Sequence, residues 1–297
     1  MMFELTNNNL KIKVQTKGAE LCEISAIKNK NQFMWHADPD VWGSFAPNLF
    51  PIIGALKEDS YTYNGKTFKL PKHGFVRENK NIKLLKQTKN SLVFSLMYND
   101  NLLKIYPFKF QFIITYTLEE NTIHITHTVK NLDDKAIYFS IGGHPAFKCP
   151  FYQNESYTDY SLVFENDETS KTHLLNMENG LVTDKTETVF KSGNSIKLRP
   201  DLFNEDALIF KDLKSRKVAL VSKTHGEILN LSFKDFNYLG IWAKPNAPYV
   251  CIEPWLGVAD HENTNQKIEE KEGIIKLPES ETFTATYSIQ IHEDHLG

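Results

Sequence analysis

The segment YTYNGKTF, residues 61–68, carries a strong turn signal between two runs of aromatic and β-branched residues. Asn64 and Gly65 at its centre both tolerate the positive φ angles that a type I′ turn requires. The segment therefore predicts an antiparallel β-hairpin. Residues 108–118 and 122–129 are a second pair of β-rich runs, separated by a polar Glu-Glu-Asn turn. Ile123 and other apolar residues of the second run recur at every other position, so they share one face of a strand.

Strand signals recur through the rest of the chain, whereas few windows show an apolar stripe of helical period. Further β runs are predicted at residues 10–14, 91–96, 136–141, 160–164, 217–221, 229–233, 249–252 and 282–291. Short helices are expected only near 39–42 and 200–204. Because two sheets packed face to face bury the alternating apolar residues of both, the pattern predicts an all-β protein. We expect one large antiparallel β-sandwich domain over residues 1–297, since no linker or internal repeat interrupts the pattern.

The bulk composition excludes several classes of partner. The 297 residues carry 34 Lys+Arg against 37 Asp+Glu, a net charge of -3, so there is no basic surface field for nucleic acid. The N-terminal residues lack a signal-peptide pattern, and the most apolar window, 49–56, is too short to span a membrane. We expect a cytoplasmic protein, a monomer or homodimer, with no membrane partner. Its three cysteines are expected to be buried free thiols, and they are Cys22, Cys149 and Cys251.

The segment GGHPAF, residues 142–147, ends a β run with two glycines that permit close approach of backbone or ligand. His144 follows them at the strand end. An imidazole can accept or donate a proton near neutral pH, so His144 is a candidate acid or base. An equally good interpretation is a loop histidine that makes a structural hydrogen bond.

The segment CIEPW, residues 251–255, places a carboxylate inside a strongly apolar run. Glu253 must therefore be paired, line a cleft, or have its pKa raised by burial. The last two conditions suit a general base, whereas a buried ion pair with a lysine is the structural alternative. Trp255 adds an aromatic face of the kind that packs against the C–H side of a pyranose ring.

Two further segments mix apolar and polar groups. KHGFVR, residues 72–77, follows the first hairpin and is expected to be a loop. It offers His73 and the donor fork of Arg77, which suits hydroxyl or carboxylate groups, although a solvated arginine is the default. Asp206 precedes the β run 207–210 and is a candidate ligand or a turn residue.

The sequence context of the remaining histidines favours structural roles for them. His124 and His127 differ in strand parity, so they cannot chelate one metal from one face. The run 292–295, His-Glu-Asp-His, is expected to be a frayed C-terminal tail, and the Asp-His-Glu run at 260–262 a solvated loop. No metal site is predicted.

Taken together and in order, HGFVR at 73–77, GGHPAF at 142–147, DALIF at 206–210 and IEPW at 252–255 resemble the aldose 1-epimerase family. The glycine turn near residue 54 and the hairpin at 61–68 extend the resemblance over most of the chain, from about 47 to 255. The likeness is greatest to a bacterial branch found with lactose and galactose genes.

The resemblance implies a galactose mutarotase-like supersandwich with a sugar cleft on one sheet and no cofactor. It implies that His144 protonates the ring oxygen and that Glu253 removes the anomeric hydroxyl proton. By the same resemblance, His73 assists near the ring oxygen and Asp206 binds sugar hydroxyls. The side-chain chemistry of Arg77 and Trp255 adds these two residues to the predicted substrate-binding set. The sugar ring would open, rotate about C1–C2 and reclose as the other anomer.

The sequence departs from the family pattern at two places. Family members that act on free galactose carry an Asn-Arg pair near the early turn, and the corresponding Gly54-Ala55-Leu56 has no arginine. Arg77 is the candidate replacement. Glu253 is followed by Pro-Trp instead of a polar residue. Three alternatives therefore stay open: a hexose-6-phosphate 1-epimerase that uses Arg77 and Lys72, a noncatalytic carbohydrate-binding protein, and a glycoside hydrolase that uses Asp206 and Glu253.

Overall fold

The structure is a computed structural model that describes residues 1–297. Its first twelve strands are β1 Met2–Thr6, β2 Leu10–Gln15, β3 Leu21–Ala26, β4 Asn48–Leu49, β5 Ser60–Tyr63, β6 Lys66–Lys69, β7 Lys83–Gln87, β8 Ser91–Met97, β9 Phe110–Glu119, β10 Thr122–Asn131, β11 Ile137–Phe139 and β12 Ile141–Gly143. The other twelve are β13 Ala146–Lys148, β14 Tyr160–Phe164, β15 Thr172–Leu175, β16 Val182–Glu187, β17 Ser195–Lys197, β18 Leu208–Phe210, β19 Lys217–Ser222, β20 Gly226–Ser232, β21 Tyr238–Trp242, β22 Tyr249–Leu256, β23 Ile275–Leu277 and β24 Thr282–Ile291.

Two large antiparallel sheets dominate the fold, which confirms the predicted all-β sandwich class. The nine-stranded sheet has the order β17-β14-β19-β20-β24-β10-β9-β8-β7. The eight-stranded sheet has the order β16-β15-β18-β21-β22-β12-β4, with β13 also paired to β22. Smaller sheets are formed by β1-β2-β3, β5-β6 and β11-β23. The strand β22 therefore lies between β21, which directly precedes it in the chain, and the strands β12 and β13, which come from a distant part of the sequence.

Both predicted hairpins are present. Strands β5 and β6 are joined by Asn64 and Gly65, whose φ angles of 48° and 71° are the positive values of a type I′ turn. Strands β9 and β10 pair along their whole length, and the alternating face of β10 that includes Ile123 and His127 is buried. His124 points to the other face and contacts the Ser288 hydroxyl at 2.8 Å, as the parity argument predicted.

The two predicted helices are wrong. Residues 39–41 and 201–205 form turns. In the second turn, Asn204 and Asp206 bond back three residues, to Asp201 and Phe203, and the chain then enters β18. The α-helix that does form is Asp100–Leu103, capped by Asn99, whose side chain accepts two backbone N–H groups. The 3₁₀ turns are Lys17–Ala19, Lys57–Asp59, Tyr157–Asp159, Ile268–Glu270 and Glu293–His295.

A continuous core of 74 buried hydrophobic residues runs from Leu5 to Ile291. This core supports the proposal that residues 1–297 form a single domain. The three cysteines are free and buried, as predicted. None of the helices is long and apolar enough to cross a membrane.

Candidate functional site

A cavity of about 360 Å³ opens on one face of the eight-stranded sheet. Its size is ordinary for a small-molecule site. All six residues predicted for the site lie in its wall, namely His73, Arg77, His144, Asp206, Glu253 and Trp255. The fold brings together side chains that are far apart in sequence, because His73 and Trp255 are separated by 182 positions. The rest of the wall is largely apolar or aromatic.

Glu253 lies in the middle of β22, opposite Gly240 of β21, and its side chain is 1% exposed. Its Oε2 atom is 3.2 Å from Nε2 of His144 and makes no hydrogen bond of good geometry. The expected alternative, a buried ion pair with a lysine, is wrong because the partner is the histidine. Glu253 thus faces the cavity with one titratable neighbour in direct contact.

His144 lies in the short break between β12 and β13, and its backbone N–H donates to the Pro47 carbonyl at 3.0 Å. This bond fixes the main chain, but the buried Nδ1 of the ring has no hydrogen-bond partner. The structural alternative required a side-chain hydrogen bond, so it does not describe this histidine. The imidazole instead directs Nε2 at Glu253.

The glycine pair before His144 makes room for two aromatic side chains. A Cβ atom at Gly142 would lie 2.7 Å from the Trp255 ring, and one at Gly143 would collide with the Tyr287 hydroxyl. The predicted close approach of backbone is present at Gly142, where the Pro254 carbonyl oxygen would lie 2.8 Å from an added Cβ, and the two aromatic side chains fill the remaining space. Gly240 likewise faces the Trp255 ring from the other neighbouring strand. The indole of Trp255 therefore packs against the glycines of both neighbouring strands. Its buried N–H has no hydrogen-bond partner.

Burial shifts the two titratable groups in opposite directions. Burial first, and the positive charges of Arg77 and Lys72 second, lower the pKa of His144 to about 3. Burial raises the pKa of Glu253 well above its usual value, while Lys72 and Arg77 oppose that rise and Asp206 adds to it. Both neutral forms are thus favoured over a wide range of pH. At pH values between the lowered pKa of His144 and the raised pKa of Glu253, the two side chains together carry one proton.

His73 is fixed by a reciprocal pair of hydrogen bonds with the early glycine turn. The Gly54 N–H donates to Nδ1 of His73 at 3.1 Å, and the His73 N–H donates to the Gly54 carbonyl at 2.9 Å. Nδ1 is therefore an acceptor, so the neutral ring carries its proton on Nε2. Burial first, then His144, lowers the pKa of His73 well below its usual value. The two histidine rings are 5.8 Å apart, edge to face.

If the cavity catalyses the anomer exchange that the sequence resemblance implies, Gly54→Ala is expected to lower kcat/KM roughly 100-fold, because displacement of His73 by about 1 Å has that effect on a positioned group. A Cβ at Gly54 would lie 2.5 Å from the Cβ of Ala259, and its φ of +68° already disfavours alanine. Gly65→Ala is the matched control, since its φ is +71° but no atom lies within 4 Å of the added Cβ. Equal activities of the two variants would reject the role of this turn in holding His73.

Arg77 and Asp206 both line the cavity. The Arg77 side chain is 27% exposed, and its nearest carboxylate, that of Glu78, is 3.9 Å away. Its donor fork is thus largely free to bind a ligand. Asp206 is both a turn residue and a wall residue: it has a φ of 68°, and its Oδ1 accepts the Ala207 N–H at 2.8 Å.

Sequence reasoning missed two aromatic residues that lie beside His144. The Trp42 ring stacks on His144 with centroids 5.0 Å apart and an interplanar angle of 26°. The Trp242 ring meets His144 edge to face at 5.9 Å. Trp242 ends a strand that was not predicted, and Trp42 lies in the turn that was expected to be a helix. Alternation of Tyr238, Gly240 and Trp242 on one strand face was the available signal.

Three buried groups offer a possible metal-ligand set that the sequence did not indicate. Ligand atoms of His144, Cys251 and Glu253 all lie within 4.8 Å of one another. Imidazole, thiolate and carboxylate are ligands that Zn²⁺ accepts. Burial, however, raises the pKa of the Cys251 thiol well above its usual value, so metal binding would have to displace a strongly held proton. Catalysis without a metal stays a prediction.

Comparisons with known proteins show the family of this chain. The profile of the family described as aldose 1-epimerase matches residues 1–278. This chain belongs to the aldose 1-epimerase family. Protein LacX of Lactococcus lactis subsp. lactis, in its plasmid and chromosomal forms, is 34% identical over 98% of this chain and 99% of its own length. The predicted family and its lactose-associated branch are thereby confirmed.

Two solved structures share the family fold. A galactose mutarotase related enzyme from Lactobacillus acidophilus superposes with a TM-score of 0.92 at 34% identity, covering 99% of this chain and 98% of its own. A galactose mutarotase-like protein from Lactobacillus casei gives a TM-score of 0.91 at 26% identity, covering 98% and 100%. Membership of the aldose 1-epimerase family supports a carbohydrate epimerase.

Proposed function

We propose that the protein is an aldose 1-epimerase that interconverts the α and β anomers of a hexose. The observation that carries this proposal is the contact of 3.2 Å between Nε2 of His144 and Oε2 of Glu253, buried in the wall of the cavity. Ring opening needs one proton delivered and one removed, and these two atoms supply the required acid and base.

In the proposed reaction, the Glu253 carboxylate removes the proton of the anomeric hydroxyl while His144 protonates the ring oxygen. The C1–O5 bond breaks, C1 becomes an aldehyde carbon and rotates about C1–C2, and reclosure with reversed roles gives the other anomer. Glu253 gains the proton of the anomeric oxygen and His144 gives its own proton to the ring oxygen, so the proton count of the pair is unchanged. The pair meanwhile passes from imidazolium–carboxylate to imidazole–carboxylic acid, which is the form that burial favours.

The other wall residues match the remaining needs of a sugar. His73 carries its proton on Nε2 and can donate to a ring or hydroxyl oxygen. Asp206 and Arg77 offer an acceptor and donors for hydroxyls, and Trp255 offers an apolar face. A noncatalytic carbohydrate-binding protein needs these groups too, but binding alone does not need a buried acid beside a buried base.

Anomer exchange of freshly dissolved α-D-glucose and α-D-galactose, followed by polarimetry or NMR, tests the proposal. We expect acceleration above the spontaneous rate, and the same acceleration in EDTA, because no step uses a metal. Sugar binding without acceleration would instead favour the noncatalytic protein. Loss of activity in EDTA that Zn²⁺ restores would assign His144, Cys251 and Glu253 to a metal.

The pH profile of kcat/KM gives a second test. We expect a constant value between pH 4.5 and 6.5, the ordinary pKa values of glutamate and histidine. The lowered pKa of His144 places the acid limb near pH 3, and the raised pKa of Glu253 moves the alkaline limb upward, so the pair keeps one proton throughout the interval. Initial rates on glucose, which does not titrate in this range, measure the profile. A maximum near pH 5.5 with activity halved at 6.5 would contradict the shifts.

A hexose-6-phosphate 1-epimerase is the second candidate, favoured by the cationic side of the cavity. Lys72 and Arg77 line both this cavity and an adjoining one of about 560 Å³, which Lys80 also lines. A phosphate group on a bound sugar would find two positive side chains there.

If the substrate is phosphorylated, Arg77→Met should lower kcat/KM for glucose 6-phosphate about tenfold more than for glucose, since a charge-assisted hydrogen bond contributes at least that factor. The control is Lys80→Met, which removes a charge from the same segment but does not line the first cavity. Equal losses on both sugars would reject a phosphate role for Arg77.

A further inference from the structure

The side chain of His144 lacks the hydrogen bond that usually orients a catalytic imidazole. Its Nδ1 atom is buried and unpartnered, and Nε2 faces Glu253 at 3.2 Å. A ring with a free Nδ1 can turn about its side-chain bonds unless packing prevents it. Some other contact must therefore define the plane in which Nε2 reaches the carboxylate.

Aromatic packing supplies that contact. Trp42 stacks on the His144 ring at 5.0 Å, and Trp242 meets both rings edge to face, at 5.6 Å from Trp42 and 5.9 Å from His144. Stacked and edge-to-face arrangements are the preferred geometries for such rings. Trp42 thus covers one face of the imidazole and Trp242 packs against it edge to face. Rotation of the imidazole about its side-chain bonds would break both contacts.

Trp42 is itself held firmly. Its backbone N–H donates to the Asp38 carbonyl at 2.7 Å, and its carbonyl accepts the Trp35 indole N–H at 2.8 Å. Its ring also stacks on Tyr249 at 5.6 Å. The turn therefore presents the indole in one orientation above His144.

We propose that Trp42 is the positioning residue of His144: its indole sets the plane of the imidazole and excludes water from one face, so that Nε2 stays aligned with Glu253. This inference rests on the proposed epimerase function for its kinetic consequence only, because the orientation of the ring is a property of the free protein. Trp42 acts through His144 and takes no part in proton transfer.

Trp42→Leu should lower kcat roughly 10- to 100-fold, as expected for a catalytic group that loses its alignment. Water admitted to the ring should also raise the pKa of His144 from about 3 toward its ordinary value, and the acid limb of kcat/KM should move up in pH with it. Trp42→Phe keeps an aromatic face and should retain both the rate and the limb. The titratable groups around His144 are unchanged in both variants, and they are Glu253, Cys251, His73, Lys72 and Arg77.

The test combines rates on glucose with NMR titration of ¹⁵N-labelled imidazole nitrogens, with melting curves to establish that each variant folds. The NMR titration reports on His144 even if no sugar is turned over, so failure of the epimerase function and failure of this inference are distinguishable. A wild-type kcat and an unshifted His144 in Trp42→Leu would overturn the proposal. So would a rise in KM alone in both variants, because that result would make Trp42 a sugar contact. If Trp42→Leu does not fold, an impaired kcat in folded Trp42→Phe overturns it.

Discussion

Replacement of Glu253 by glutamine is expected to lower anomer exchange roughly 10²- to 10⁴-fold, the contribution of one positioned acid–base group. Glutamine cannot accept the proton of the anomeric hydroxyl. The fold should nevertheless survive, because burial already favours the protonated carboxyl group, which glutamine imitates in shape and charge. This separation of chemistry from stability makes Glu253→Gln a sharper test than a substitution to alanine.

The measurement is polarimetry with glucose, accompanied by melting curves and by sugar binding followed through tryptophan fluorescence. Three tryptophans, Trp42, Trp242 and Trp255, line the cavity, so a bound sugar should alter the signal. Glu279→Gln is a control for the loss of a carboxylate at an exposed position. A folded, sugar-binding Glu253→Gln protein with the wild-type rate would remove Glu253 from the mechanism.

His144→Asn should cause a loss of the same order, since ring opening needs both the proton that His144 delivers and the removal of the proton that Glu253 accepts. The double variant should then be little worse than either single one, because residues that act as a unit are not additive. Multiplying losses would instead indicate independent roles. That outcome would separate the chemistry of the two residues despite their contact of 3.2 Å.

The sequence predicted the fold because local signals decide it. The Asn64-Gly65 turn and the alternation along 122–129 each specify a hairpin from neighbouring residues alone, and the structure contains both. The site residues could be found one at a time, since a carboxylate in an apolar run is unusual wherever it occurs. Their assembly was given by the family resemblance and not by periodicity. The contact of His144 with Glu253 depends on β12 and β13 pairing with β22, a long-range arrangement that no local pattern encodes.

The wrong predictions for His295 and Trp42 also arise because local sequence patterns do not encode long-range packing. His295 was expected in a frayed tail, yet it is buried and its ring bonds to the Tyr152 hydroxyl at 2.8 Å and the Glu227 carbonyl at 2.9 Å. Trp42 was expected in a helix, but it lies in a turn and its ring stacks on His144, which is 102 residues later in the chain. Polar composition describes the segment itself, whereas burial depends on what the rest of the chain places over it.

Asp260 is a further case, expected in a solvated loop but found in a buried ion pair. Its Oδ1 atom is 2.7 Å from Nζ of Lys271, and both side chains are 3% exposed. Nζ also donates to the Val258 carbonyl at 2.7 Å, and Oδ2 accepts the Lys57 N–H at 3.0 Å. These bonds tie the segment that carries Ala259 to the chain around Gly54, the turn that holds His73.

Lys271→Met is therefore expected to lower the free energy of unfolding by about 3–5 kcal/mol, because it leaves the Asp260 carboxylate buried without its counter-charge. Lys267→Met is the matched control: Lys267 and Glu270 form an ion pair of 2.9 Å, but they are 57% and 54% exposed, so water screens the pair and its loss should have little effect on the free energy of unfolding. Urea unfolding of the two variants measures the difference. Equal losses would mean that water or a shift of the backbone solvates Asp260 in the variant. A large loss confined to Lys271→Met would instead identify this pair as the anchor of the wall behind His73, and its folded fraction should then also show a reduced rate of anomer exchange.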